Sequence, residues 1–160
     1  VFTELPHVFL GGECGKSTYR QRIAIPRLRE AGITFFNPQV AVGDWHHGLI
    51  ELEAVAKDNA VQILIVIGGA TRAGASILEA EEYVCYGSFV HLVIDNMPDG
   101  TVIDGHVITG RELEDVNRMR EYLRSVVKRR RPHLPIHNTV DDAVTAIIKI
   151  AAAYGFGGGS

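Results

Sequence analysis

The sequence predicts an α/β fold: a doubly wound, mostly parallel five-stranded sheet with helices on both faces. Three observations carry it. Short apolar runs alternate with helical patterns along the 160 residues, and strands that alternate with helices imply a parallel sheet between two helical layers. One run, Val61–Ile67, is almost uniformly apolar, as expected of a central strand covered on both faces. The apolar runs close on Gly11-Gly12, Asn37-Pro38 and Gly68-Gly69, turn formers that end strands. Right-handed crossovers are then the default, the flavodoxin- or Rossmann-like arrangement.

Val8–Leu10 is the first strand. Ser17 or Thr18 is placed to cap the next helix, where Ile23, Ile25, Leu28 and Ala31 give an apolar face, Pro26 falls early and Gly32 is the stop. Ile33–Phe36 is the second strand, followed by a loop over 39–48 with Trp45, His46 and His47. Leu49–Asn59 is helical, with Leu52, Val55 and Ala56 expected on the inner face. After the third strand, a helix is expected over Ser76–Tyr86 with Gly87 as its stop, and Phe89–Ile94 is the fourth strand. Residues 95–110, with Asp99-Gly100 and Asp104-Gly105, have the turn chemistry of a small hairpin. Arg111–Lys128 is a charged helix, Leu134–His137 a short fifth strand, and Thr139 caps a last helix with Ala143, Ile147 and Ile150 inward. Residues 1–154 are one domain and 155–160 a Gly/Ser-rich tail, as in a domain cut from something longer.

A hydrophobic content of 46% supports a sizeable core, and a net charge of -3 argues against a nucleic-acid surface. Two cysteines, Cys14 and Cys85, lie far apart in no metal-like spacing, which predicts a reduced, cytoplasmic setting without a disulfide framework. No apolar run approaches the roughly 20 residues of a membrane span. His46-His47 has no third ligand at recognisable spacing, and neither metal nor cofactor is called for. Arg120, Arg124, Lys128 and Arg131 fall near one helical face. As cations near a helix C-terminus they complement its dipole, with an acidic partner the lesser alternative.

Two stretches have the makings of a site. Gly11–Thr18 reads GGECGKST, but a phosphate loop needs glycine where Leu10 stands. A weaker expectation survives: backbone N–H groups around Gly11, Gly12 and Gly15 hold a phosphate or ribose, with Arg20 and Arg22 adding charge. The second stretch is Ser76-Ile77-Leu78-Glu79, which fits a capping box. An ionised carboxylate there is equally what displacement at a sugar C1 requires. Glu51, Glu53 and Asp58 precede it by one helix, and paired carboxylates divide into nucleophile and acid when their surroundings differ. Trp45 either stacks on a base or plugs the core edge.

The ordered set VFLGG (Val8–Gly12), Arg20, GITFFNPQ (Gly32–Gln39), DNAVQILIVI (Asp58–Ile67), GASILEAEEYV (Gly74–Val84), SFVHLVID (Ser88–Asp95) and PIHNTVDDAVTAI (Pro135–Ile147) resembles the nucleoside 2-deoxyribosyltransferase-like family, related to the deoxynucleoside monophosphate N-glycosidases. The likeness spans about residues 7–150. It implies cleavage or transfer of a nucleoside or nucleotide N-glycosidic bond, with Glu79 as nucleophile. Its acidic partner maps to Glu53, with Asp58 the alternative if the helix is rotated. Gly11, Gly12, Gly15, Arg20, Trp45, Ser76 and Asn96 are the expected substrate contacts. The family's usual tyrosine in the first strand is Phe9 here, and Arg72 and Ala73 occupy the stretch where the family places an aspartate near the base. A nucleotide-sensing or scaffold domain and an NAD glycohydrolase are the alternatives. A homo-oligomer is the family expectation.

Overall fold

The computed structural model describes residues 6–41, 43–87 and 89–155. Its main sheet has five parallel strands in the order β2-β1-β3-β4-β7. They are β1 (Val8–Gly12), β2 (Phe35–Phe36), β3 (Gln62–Ile67), β4 (Phe89–Ile94) and β7 (Ile136–His137). Helices α1 (Ile25–Glu30), α2 (Gly48–Asn59), α3 (Gly74–Tyr86), α4 (Gly110–Arg130) and α5 (Val140–Ala153) connect or follow them. A π-helical turn, Arg20–Ala24, leads into α1. The hairpin expected in 95–110 is β5 (Thr101–Ile103) and β6 (His106–Ile108), antiparallel, over a small core of Met97, Ile108 and Val116. Among the described residues no helix is long and apolar enough to cross a membrane. All of the proposed tail but Gly155 lies outside the described residues.

β3 is buried at every position, including Gln62. Its side chains alternate between two apolar layers. Ile63, Ile65 and Ile67 meet Ile77, Ala80 and Val84 of α3 and Leu123 and Val127 of α4. Leu64 and Val66 join Leu28 of α1 and Ala143, Val144 and Ile147 of α5. Thr139 caps α5 as expected, its hydroxyl accepting from the Asp142 N–H at 3.1 Å.

Several local expectations are corrected. The first helix takes no side-chain cap: Tyr19 is its N-cap, and Ser17 and Thr18 lie before it. Leu52 and Val55 of α2 are exposed and only Ala56 is buried there, because the helix turns its Glu53–Ala56–Lys57 side inward instead. α3 begins two residues before the predicted start. Ala73, held at φ 56°, is its N-cap and gives no side-chain bond. Ser76 therefore lies inside the helix, and the capping box with Glu79 does not form.

Across the sheet's middle runs a buried polar chain. Gln62 Nε2 lies 2.9 Å from His7 Nε2 and donates to the Ile147 carbonyl at 3.0 Å, while Gln62 Oε1 is 2.7 Å from His91 Nε2. His91 in turn stacks on His137. Burial lowers the pKa of His7 and His137 below 6.5, and burial together with His137 brings His91 down to about 4. Neutral imidazoles are thus the folded form, whereas the unfolded chain takes up protons below pH 6.5. Stability is complete above that pH and falls as pH drops toward 4. Urea denaturation across pH 7 to 4.5 is expected to show a loss of about 2–3 kcal/mol, starting above the range where carboxylates titrate; a flat profile there would contradict this assignment.

Candidate active site

β1 leads to β2 on one side, and the chain re-enters at β3 on the other, so strand order reverses between β1 and β3. Ligands of open parallel sheets bind at such a point, beyond the carboxyl ends of the strands. A cleft of about 820 Å³ opens there, walled by the loop after β1, the loop before α2, α2 itself and the start of α3. Gly12, Gly15, Trp45, Glu53, Ser76 and Glu79 all line it.

The loop after β1 is held from below. Arg20 is fully buried (0% exposed). Its Nε donates to the Leu10 carbonyl at 3.0 Å, Nη1 to Glu13 at 2.8 Å and Nη2 to Gly12 at 3.3 Å. Tyr19 donates its hydroxyl to the Gly11 carbonyl at 2.6 Å, and burial pushes that phenol's pKa up. From the side, Gln39 Nε2 donates to the carbonyls of Cys14 at 2.5 Å and Gly15 at 3.3 Å. Gly12 has φ +100°, and a Cβ there would overlap the Val66 carbonyl, so β1 can approach β3 this closely only with glycine.

The loop after β3 has a matching clamp. Arg120 of α4, also buried, donates to the carbonyls of Gly68 at 2.7 Å, Thr71 at 2.8 Å and Asp95 at 2.7 Å. The Thr71 hydroxyl donates to the Glu13 carboxylate, joining the two loops. Each guanidinium spreads its charge over carbonyl oxygens.

Three charged side chains meet on the cleft wall. Lys57 of α2 is ion-paired with Glu79 of α3, and its Nζ lies 3.8 Å from Glu53 Oε2, one helical turn back. The Lys57 ammonium rests 5.1 Å from the Phe9 ring centroid, and Phe9 stacks on Phe36 at 5.5 Å. Exposure of these side chains is 14% for Lys57, 19% for Glu79 and 27% for Glu53. The Glu53 pKa is raised above 4.5, chiefly by burial. Lys57 opposes that shift, Glu79 adds to it, and Arg20 opposes it more weakly. Cys14, also on the cleft, has its thiol pKa raised by burial.

Other expected site residues lie elsewhere. Asp58 is exposed and lines a separate cavity of about 340 Å³ with Tyr83, because the helical twist carries it past the face that bears Glu53. Burial, then Asp58, pushes the Tyr83 phenol up to about 12. Gly11 is buried within β1, paired with Ile65 of β3, and Arg20 lies beneath the loop with its donors committed to carbonyls. Asn96 is exposed, away from the residues lining the cleft, its Oδ1 accepting from Arg124 at 2.9 Å. Trp45 is 56% exposed on the cleft rim, with its ring edge against His47 at 5.1 Å, so it does not plug the core. Glu51, Arg22, His46 and His47 are exposed, and among the described residues no group of three metal-binding side chains occurs.

Sequence reasoning missed Lys57, Glu13, Gln39 and the buried role of Arg120. Lys57 was findable: it stands four residues after Glu53, the spacing of a helical ion pair. Arg120 reads in sequence as a cation complementing the helix dipole, yet it falls between Val116 and Leu123, both buried.

The nucleoside 2-deoxyribosyltransferase-like family matches residues 5–97, more than half of the chain, and the chain belongs to that family. The match covers both loops of the cleft and ends where the hairpin begins. No curated protein and no solved structure matched.

Arg20→Met is expected to lower stability by about 2–4 kcal/mol, since carbonyls of the loop lose buried donors. Denaturation midpoints check this, and an unchanged midpoint would mean that water replaces the guanidinium without cost.

Proposed function

We propose that this member of the nucleoside 2-deoxyribosyltransferase-like family breaks or transfers the N-glycosidic bond of a nucleoside or nucleotide, with Glu79 attacking the sugar C1. The grouping of Glu79 and Glu53 around one ammonium, on the wall of the switch-point cleft, carries this reading. The two carboxyl groups sit in different surroundings. Glu79 is ion-paired, while burial biases Glu53 toward its protonated form. That division is what a nucleophile and a general acid need. With Glu79 as the nucleophile at C1 the route is covalent.

In that route a Glu79 oxygen bonds to C1 as the C1–N bond breaks. The bonding pair passes to the base nitrogen, which takes the Glu53 proton. Water, or the nitrogen of a second base, then attacks C1 and returns the electron pair to Glu79. Trp45 on the rim is the aromatic surface for a base. The loop Gly12–Lys16, with its exposed Lys16, faces the sugar's 5′ side. An intracellular, self-associating protein belongs to the same reading: both cysteines are free, and α2 exposes Ile50, Leu52 and Val55.

One observation favours a second reading, a nucleotide-binding domain without turnover. Phe9, buried beneath the Lys57 ammonium, has a ring and no hydroxyl to offer the nucleophile. A substrate panel separates the two. Deoxynucleosides, their monophosphates and NAD are incubated with the protein, and free base is measured by chromatography. Release is expected from at least one, and Glu79→Gln is expected to cut it by about a thousandfold or more while the variant still unfolds cooperatively. Calorimetric binding with no base released over hours would support the second reading instead.

A further inference from the structure

Negative charge moves during the reaction just described, and one side chain is placed to follow it. In the proposed reaction Glu79 attacks as a carboxylate and Glu53 enters with the proton that the base will take. Once Glu79 is a sugar ester it is neutral, and Glu53, having given its proton to the base, is a carboxylate. Lys57 Nζ contacts Glu79 and stands 3.8 Å from Glu53. A small rotation of the side-chain end transfers the ammonium from one partner to the other. We propose that Lys57 is a positioning residue that moves with the negative charge, from Glu79 in the resting site to Glu53 in the glycosyl-enzyme, and so converts Glu53 from acid to base between the two half-reactions. This rests on the proposed function, since it needs Glu79 as nucleophile.

The surroundings of Lys57 fit a short, guided movement. Its stem is on α2, one turn from Glu53, and its ammonium lies over the Phe9 ring. An aromatic face attracts the cation without offering a competing hydrogen-bond acceptor, so Lys57 slides between carboxylates along an apolar floor. The floor is firm, because Phe9 is buried in β1 and stacked on Phe36. Lys57 is 14% exposed, so its charge is little screened by water.

The charged neighbours of Glu53 pull in two opposite directions. Lys57 of the same helix and Arg20 below the β1 loop favour its ionised form, while Glu79 of α3 and burial favour the protonated one. Cys14 of the β1 loop, with its thiol pKa raised by burial, also faces the pair and brings no charge at neutral pH. Esterification of Glu79 removes the one charged neighbour that holds the proton on Glu53. Lys57, released from Glu79, then adds to the opposite pull. Glu53 ionises when a base is needed to take the proton from the attacking water. When water has attacked and Glu79 leaves C1, Glu53 holds the proton again and Lys57 returns.

The test uses Lys57→Gln, which keeps length and hydrogen bonding without charge, and Lys57→Arg, which keeps the charge. Base release is followed in the steady state across pH and in the first turnover by rapid quench. For Lys57→Gln the alkaline limb of kcat/KM is expected to move up by about one pH unit, as Glu53 loses its cation. Turnover is expected to fall about tenfold or more, preceded by a burst of base equal to the enzyme, because the second half-reaction lacks its base. Lys57→Arg is expected to restore the limb and shrink the burst. A Lys57→Gln enzyme with the wild-type pH limb and no burst overturns the proposal, as does failure of Lys57→Arg to restore either. Thermal melts identify a misfolded variant, in which case Lys57→Met and Lys57→Arg decide by the same two readouts. Should the unaltered protein release no base, or Glu79→Gln keep full turnover, the proposed function fails first and independently of Lys57.

Discussion

Two buried guanidinium groups hold the working edge of this sheet in shape. Arg20 gathers the carbonyls of Leu10, Gly12 and Glu13, and Arg120 those of Gly68, Thr71 and Asp95. Loops at strand ends ordinarily satisfy their backbone groups with water. Here the carbonyls point down into protein, and the cleft above is bounded by backbone whose path is fixed. The Thr71–Glu13 hydrogen bond couples the two loops, so disturbance at one guanidinium reaches both walls. The cost of burying each charge is met by several short bonds to oxygen, the arrangement in which such burial is tolerated.

The charged triad uses that rigid frame. Glu79 rises from α3, whose start follows the loop that Arg120 clamps, and Glu53 and Lys57 rise from α2. α3 is firmly packed, with Ser76, Ile77, Ala80 and Val84 buried. α2 buries only Ala56 and exposes Ile50, Leu52 and Val55. One carboxylate therefore stands on the fixed core and the other on a more lightly anchored helix, with the ammonium of Lys57 between them. Few buried contacts mark the parts of a fold that move at low cost. A substrate that widens the cleft would shift α2 relative to α3, altering the separation of the two carboxylates.

Much of the architecture was legible in the sequence because its signals are local. Val61–Ile67 is apolar enough to declare a central strand, and the Gly and Asn-Pro closures mark where strands end. Glu79 was likewise legible as a candidate through its place early in the helix after the third strand, and Glu53 through the helix before that strand and the family resemblance. What sequence left hidden is long-range. Arg20 looked like a ligand contact, since nothing local says that three carbonyls from the end of β1 and the loop after it, seven to ten residues earlier, surround it. Arg120 looked like a cation answering the helix dipole, since the loop carbonyls that it holds stand 25 to 52 residues away. The capping box at Ser76 failed for a different reason: small residues Gly74 and Ala75 let the helix start earlier, and Ala73 accepts a left-handed conformation.

The account depends on a covalent bond between Glu79 and a sugar, and peptide mapping after quench tests it most directly. The protein would be mixed with a slowly turned-over 2′-fluoro-2′-deoxynucleoside, quenched in acid and digested, and the peptide containing Gly74–Tyr86 read by tandem mass spectrometry. The account predicts a fluoropentosyl adduct on Glu79. Release of base with no adduct on that peptide, or with an adduct on a different residue, would contradict it.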